Sequence, residues 1–81
     1  MKANVYVSLK KTVLDPQGKT ILQALHGLGH SGVEGVRQGK SFELELSSEL
    51  SVEEARAEVE RIAKEVLTNP VIEEFTYRLE E

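Results

Sequence analysis

The sequence predicts a single α+β domain whose elements follow the order β-α-β-β-α-β. Three observations support this prediction. Apolar and polar residues alternate near the N-terminus, between residues 42 and 46, and near the C-terminus, as they do in half-buried strands. Between these stretches, apolar residues recur every three or four positions, as on one face of an amphipathic helix. A chain of 81 residues is long enough for one such domain and too short for two.

The first strand and the start of the first helix follow from local patterns. Residues 4–9 form the predicted strand because every second residue is apolar. The apolar side chains on its inner face are Val5, Val7 and Leu9. The first helix is predicted to begin at Asp15-Pro16. An aspartate can cap the free N–H groups of a first turn, and a proline fits the first helical position.

The first helix is expected to end at the glycines between residues 27 and 29. Its apolar stripe consists of Ile21, Leu22, Ala24, Leu25 and Leu28. A hairpin is predicted over residues 33–47, with Gln38-Gly39 at its turn. The first arm of the hairpin, residues 33–37, loses its alternation at Gly35, which predicts a bulge or a close backbone approach.

The second helix has a clear start and a clear end. Ser51 and Glu54 match a capping box, in which the hydroxyl and the carboxylate each accept a backbone N–H of the other residue. The apolar stripe of this helix consists of Val52, Ala55, Val59, Ile62, Val66 and Leu67. Thr68-Asn69-Pro70 ends it, and residues 71–79 form the last predicted strand.

This order of elements places two helices on one face of a four-stranded antiparallel sheet, the arrangement called the ferredoxin-like plait. A chain of this length buries only about 60–65% of the surface that its unfolded form exposes, so its core is marginal. We therefore expect a homodimer or a larger homo-oligomer. Its second copy is expected to dock at Tyr6, Ile72 and the hairpin arms.

The composition excludes several classes of protein. The net charge is −4, and no basic face interleaved with aromatic residues occurs, so no nucleic-acid partner is predicted. The absence of cysteine excludes a disulfide framework and Cys-based zinc or redox chemistry. No apolar stretch is long enough for a signal peptide or a membrane span, which predicts a cytoplasmic protein without a membrane partner.

Two short motifs resemble nucleotide-binding sites but stand in the wrong context. Residues 27–32 spell G-x-G-x-x-G, yet a helix ends there where a dinucleotide site needs one to begin. Gly39-Lys40-Ser41 resembles the end of a P-loop, but a strand follows where a helix is required. Both motifs are better explained as a helix end and a hairpin turn.

The remaining candidate groups also favour structural roles. His26 and His30 have a spacing that can bind zinc, but the only further ligand nearby is Glu34, and the helix is expected to end between the two histidines. Surface histidines near the negative end of a helix explain the pair. No nucleophile stands in a recognisable context. The sequence therefore predicts no catalytic, metal-binding or cofactor-binding residue.

Several stretches of the sequence do point to a family. They are Val13-Leu14-Asp15-Pro16-Gln17-Gly18, Ala24-Leu25, Leu28-Gly29, Val36-Arg37-Gln38-Gly39-Lys40, Glu43-Leu44 and Leu67-Thr68-Asn69-Pro70-Val71-Ile72-Glu73. In this order, over nearly the whole chain and at this length, they resemble the PurS family. PurS is the small subunit of phosphoribosylformylglycinamidine (FGAM) synthase.

The resemblance implies a place in the fourth step of purine biosynthesis. In the three-subunit enzyme, a glutaminase subunit releases ammonia, and a large synthetase subunit activates formylglycinamide ribonucleotide with ATP and magnesium. The resemblance implies that the small subunit bridges these two partners and assists ammonia transfer without catalysing a reaction. ATP and magnesium are thus expected on the large subunit, and no cofactor is expected on this chain.

The resemblance suggests which surfaces meet other subunits. The candidate interface residues are Asp15, Gln17, Lys19, Arg37 and Lys40. Helix capping and turn formation are an equally good explanation for Asp15, and a less complete one for Gln17, Arg37 and Lys40. The alternative function is a stand-alone dimeric regulatory domain that binds a small ligand at a subunit interface, with residues 27–32 as its ligand loop. A free-standing enzyme is the least favoured possibility.

Overall fold

The structure, a computed structural model, describes residues 1–80. The strands are β1 (Lys2–Leu9), β2 (Gly39–Glu45) and β3 (Glu73–Glu80), and the helices are α1 (Pro16–Gly27) and α2 (Val52–Ile62). One π-helical turn, Ala63–Leu67, continues α2 directly. Within residues 1–80, no helix is long and apolar enough to cross a membrane. The α+β class and both predicted helices are confirmed.

The sheet is antiparallel, and β1 lies in the middle with β2 and β3 on either side. Val5 is opposite Phe42 on one side and Tyr77 on the other, so these three residues share the inner face. The outer face is mostly polar. It carries Lys2, Asn4, Ser8, Ser41, Glu43, Glu45, Glu74, Thr76, Arg78 and Glu80, with Tyr6 as its aromatic residue.

The α2 helix covers part of the inner face and forms the core with β1. The fully buried residues are Ala3, Val5, Val7, Ala55, Val59 and Ala63. Small side chains on both elements let the helix lie close to the central strand. The capping box is confirmed. The Ser51 hydroxyl accepts the Glu54 N–H at 3.1 Å, and the Glu54 carboxylate accepts the Ser51 N–H at 3.0 Å.

The predicted fourth strand is absent from the described residues: the sheet has three strands, and residues 33–37 are irregular. The physical reason is that the backbone of this segment bonds to α1 and its N-terminus. The Val33 carbonyl oxygen lies 2.7 Å from the His26 ring, and the Gln38 N–H donates to Asp15. The bulge or close backbone approach predicted at Gly35 is also wrong, because an added Cβ there would meet nothing within 4 Å; a close approach occurs instead at Gly18, where an added Cβ would collide with the Val36 carbonyl oxygen.

The prediction that both helices lie on one face of the sheet is not confirmed for the single chain. Only α2 packs on the sheet, whereas α1 makes no comparable contact with any strand. Together with the returning segment, α1 forms a projection that we call the arm (residues 16–38). The molecule measures 51 × 26 × 14 Å, and its radius of gyration is 16.2 Å. A compact chain of this length has a radius of gyration of about 12 Å.

Candidate functional site

The five predicted interface residues lie near one place, where β1 ends and where α1 and β2 begin. We call this place the corner (residues 9–19 and 37–40). Asp15 and Arg37 bind backbone groups across it, Gln17 reaches over it, and Lys19 and Lys40 lie at its edges. The sequence alone did not indicate that residues so far apart along the chain would meet.

Asp15 links the start of α1 to the start of β2. One carboxylate oxygen accepts the Gly18 N–H at 3.0 Å, as a helix N-cap, and the other accepts the Gln38 N–H at 2.8 Å. The side chain is buried. The backbone N–H of Gln38, followed by that of Gly18, lowers the pKa of Asp15 because both donors favour the charged carboxylate. The predicted helix cap is confirmed, and it also fixes the start of β2.

Arg37 closes the other side of the corner. Its guanidinium donates to the carbonyl oxygens of Leu9 at 3.2 Å, Lys10 at 2.9 Å and Val13 at 3.4 Å. A planar group with five donors suits such a set of loop carbonyls, and a lysine could not reproduce it. These contacts tie the end of β1 to the segment before β2. They give Arg37 an architectural role, while its role in subunit contacts stays a prediction.

Gln17 and Lys19 face outward from the first turn of α1. The Gln17 side-chain oxygen accepts the Gln38 amide at 2.7 Å, and this contact is exposed. Lys19 is exposed and borders an open depression of about 520 Å³ with Lys11 and Arg37 on its rim. Gln17 and Lys19 therefore remain exposed, where a neighbouring subunit can contact them.

Lys40 lies on the inner face at the start of β2. Its ammonium is 3.7 Å from the Glu73 carboxylate and 5.8 Å from the centre of the Phe42 ring. Glu73 lies across β1 from Lys40, since both residues pair with β1 at its C-terminal end. The side chain therefore sits beside apolar surface and keeps its charge compensated within the chain.

The motifs set aside from the sequence do have structural roles. Gly29 has a φ of +96° just after α1, a backbone conformation that glycine adopts readily. Gly39-Lys40-Ser41 is the start of β2, where a P-loop would need a helix; the hairpin predicted over residues 33–47, with its turn at Gln38-Gly39, does not form, because β2 pairs with β1. The His26 ring forms a hydrogen bond with the Val33 carbonyl oxygen and so links the end of α1 to the segment that follows it. Among residues 1–80, no group of three potential metal ligands occurs.

One ordered turn was missed, although the sequence contained a signal for it. In residues 68–73, the Asn69 side chain accepts the Val71 N–H at 3.1 Å and the Glu73 carboxylate accepts the Asn69 N–H at 2.8 Å. Asn before Pro is a strong turn signal. The turn presents Val71 to solvent with 77% of its surface exposed.

The arrangement at the corner defines a class of protein. Polar side chains at the corner form hydrogen bonds mainly with the chain's own backbone. These bonds fix the shape of the corner and leave its exposed surface available to other subunits. The chain thus fits the class of small α+β subunits that present surfaces to other chains.

Comparison with known proteins identifies the family: the chain belongs to the PurS family. The matching family model is described as PurS, phosphoribosylformylglycinamidine (FGAM) synthase, and covers residues 2–81. The PurS subunit of Mycobacterium leprae is 46% identical over 75 residues, which cover 93% of this chain and 90% of the relative. The Bacillus subtilis subunit is 42% identical over 80 residues, covering 99% and 93%.

Solved structures of the family share this fold. Methanocaldococcus jannaschii PurS matches with a TM-score of 0.88 and 38% identity, and the match covers 99% of this chain and 95% of that one. A chain in the structure of PurLQS from Thermotoga maritima matches with a TM-score of 0.86 and 36% identity, covering 95% and 93%. The resemblance read from the sequence is confirmed over nearly its full length.

Proposed function

We propose that this chain is the accessory subunit of an FGAM synthase in purine biosynthesis. It bridges a glutaminase subunit and a large ATP-dependent synthetase subunit and assists ammonia transfer to formylglycinamide ribonucleotide. The whole complex is then an ATP- and glutamine-dependent C–N ligase. The small subunit contributes no catalytic group, and ATP and magnesium bind to the large subunit. The location proposed for the complex is the cytoplasm.

One observation supports this proposal above the others. The fold matches a chain within PurLQS from Thermotoga maritima over 95% of its own length. A likeness that covers a whole subunit, rather than a shared core, favours the same role within the same kind of assembly.

The corner suggests how the chain contributes to that assembly. Asp15 and Arg37 hold the first turn of α1 against the start of β2. Gln17 and Lys19 then project from a fixed frame, so a partner need not order them on binding. We propose Gln17 and Lys19 as contact residues, and Arg37 and Lys40 as residues that support and flank the contact surface.

The direct test mixes the purified chain with the glutaminase and synthetase subunits from the same source, with glutamine, ADP and magnesium present. Size-exclusion chromatography with light scattering should detect a joint complex. In the full assay, formation of FGAM from glutamine should depend on this chain, whereas formation from added ammonium salts should depend on it much less. Specific binding of an amino acid by the chain alone, without a joint complex, would instead support the regulatory domain.

A matched pair of variants tests the contact residues. Gln17→Ala with Lys19→Ala should weaken assembly by about tenfold or more and make the weakening salt-dependent. Lys64→Ala removes an exposed lysine beyond α2 and serves as the control. Equal assembly by the double variant and the control at physiological salt would contradict the role assigned to Gln17 and Lys19.

A further inference from the structure

Charge is distributed unevenly over the chain. The corner contains five of the ten basic residues but one of the 14 acidic residues, Asp15. Its basic residues are Lys10, Lys11, Lys19, Arg37 and Lys40. A corner with a net charge of +4 therefore belongs to a chain with a net charge of −4. A concentrated charge whose sign is opposite to that of the remaining surface attracts anionic groups to one place.

Most of the lysines at the corner have no counter-charge within the chain. Lys40 is the exception, because it pairs with Glu73. Within residues 1–80, the ammonium groups of Lys10, Lys11 and Lys19 have no carboxylate oxygen within 4 Å. These three lysines are thus available to an anionic group from another molecule.

The start of α1 adds to the positive charge of the corner. The N-terminus of a helix carries a partial positive charge, which acidic residues in the first turn offset. The first turn of α2 contains Glu53 and Glu54, whereas the first turn of α1 contains no acidic residue and is followed by Lys19. The Asp15 carboxylate caps α1 from a buried position, so the outward surface of this turn remains positive.

An open depression of about 520 Å³ at the corner combines these charges with apolar surface. Its basic residues are Lys11, Lys19 and Arg37, and its apolar residues are Val13, Leu14, Leu22 and Val36. Leu14, which precedes the helix cap, is 72% exposed. An apolar residue at this position often packs against one at the fourth helical position, which here is Lys19. Leu14 therefore lacks its usual partner within the chain.

This combination fits an acidic protein segment better than it fits other anions. A phosphate site needs converging N–H donors, but the Gly18 N–H donates to Asp15 and the Arg37 guanidinium donates to loop carbonyls. Single-stranded nucleic acids stack their bases on aromatic side chains, and no aromatic residue of the described chain borders the depression. A protein segment can use both the lysines and the apolar lining.

We propose that the depression at the corner binds an acidic segment of a partner subunit. Carboxylates of that segment pair with Lys11 and Lys19, and an apolar side chain between them lies on Leu14. Because the ion pairs are exposed, they contribute mainly to the rate and the salt dependence of association, and the apolar contact contributes to affinity. The inference rests on the proposed function and adds the chemistry by which the chain recognises one of its partners.

Charge reversal in two matched double variants tests the proposal. Assembly with the glutaminase and synthetase subunits is measured by sedimentation velocity over a range of salt concentrations. Lys11→Glu with Lys19→Glu should weaken assembly by about 50-fold or more at low salt, and the effect should shrink as salt screens the charges. Arg56→Glu with Arg61→Glu changes the net charge equally at exposed positions of α2 and should weaken assembly less than about threefold. Circular dichroism checks that both variants fold.

The apolar part of the contact is tested separately. Leu14→Ala should weaken assembly by about tenfold, and this effect should not depend on salt, because it removes apolar area and no charge. Val71→Ala shortens an apolar side chain that is 77% exposed and serves as the control. Equal assembly by these two variants would show that Leu14 is not covered in the complex and would contradict the proposed contact.

Carbodiimide cross-linking of the joint complex identifies the bound segment. The reagent joins a lysine amine to a carboxylate in direct contact through an amide bond, with loss of water. Mass spectrometry should find Lys11 or Lys19 joined to an aspartate or glutamate of the glutaminase or the synthetase subunit. Cross-links from these two lysines to carboxylates of another copy of this chain alone would assign the depression to that copy and overturn the proposal.

The remaining outcomes separate this inference from the proposed function. A joint complex that is equally stable with both charge-reversed double variants would overturn this inference alone. Tight binding of a labelled single-stranded 12-nucleotide RNA by the natural chain, lost in Lys11→Glu with Lys19→Glu, would assign the corner to nucleic acid and also overturn it. If the natural chain formed no joint complex, the proposed function would fail, and this inference would fail with it.

Discussion

The two ends of this molecule hold their shape by different means. At one end, α2 lies on β1 through a core of alanines and valines that excludes water. At the other end, the arm is fixed by hydrogen bonds at the corner, where Asp15 accepts from, and Arg37 donates to, backbone groups more than 20 residues away in sequence. The first end gains stability from burial, which does not depend on direction, and the second from directed polar contacts.

The difference has a consequence for function. A close-packed core resists small changes, whereas a set of hydrogen bonds fixes an angle and leaves neighbouring surface exposed. In this chain, the exposed candidates for contact with other subunits, Gln17 and Lys19, belong to the polar corner. The core end supplies the platform from which the arm projects.

The largest effect is expected in the core. Val59 is fully buried between α2 and β1, and Val59→Asp would place a charge there without a partner. Such a burial costs several kcal/mol, against a total stability of about 4–12 kcal/mol for a chain of this length. We expect loss of the far-ultraviolet circular dichroism signal of the folded chain at 37 °C. Val66→Asp, at a 74% exposed position, is the control and should melt close to the natural chain. Two similar melting curves would contradict the division of the molecule into two ends.

The core end was largely predictable from the sequence. Alternation at Val5 and Val7 predicted β1, and the Ser51–Glu54 capping box predicted the start of α2, because both patterns depend on neighbouring residues. The structure places Phe42 and Leu44 of the predicted second strand arm on the inner face.

The arm was predictable only in part. The cap at Asp15 was found because a helix start is a local signal. The absence of the fourth strand could not be predicted. The partners of Val33 and Gln38 lie on α1 and at its cap, and no local sequence pattern indicates such distant hydrogen bonds. The role of Arg37 was missed for the same reason. A charged residue flanking a predicted turn looks like a surface residue until its three carbonyl partners are known.

A smaller effect is expected from removing the Arg37 guanidinium. Arg37→Ala should loosen the arm and leave the sheet intact, because its partners are loop carbonyls that are not part of the core. In hydrogen exchange, amides of α1 should exchange about tenfold faster or more, while amides of β1 keep their rates. Arg56→Ala, on the exposed side of α2, is the control. Equal acceleration in α1 and β1 would mean that the two ends unfold as one unit.

The smallest effect concerns the dependence of stability on pH. The hydrogen bonds from Gln38 and Gly18 lower the pKa of Asp15 in the folded chain, so its contribution to stability is present above the unfolded pKa, near 4. It is lost as the pH falls through the lower folded value. The melting temperature of the natural chain should therefore fall between about pH 5 and pH 2, and Asp15→Asn should remove several degrees of that fall. Glu54 also has a lowered pKa, caused by the N–H and hydroxyl of Ser51. The Glu54→Gln variant therefore measures how much of the fall in melting temperature comes from the cap of α2. If Asp15→Asn left the fall in melting temperature at acid pH unchanged while Glu54→Gln reduced it, the acid sensitivity would arise at the core end, and Asp15 would not stabilise the corner as its hydrogen bonds indicate.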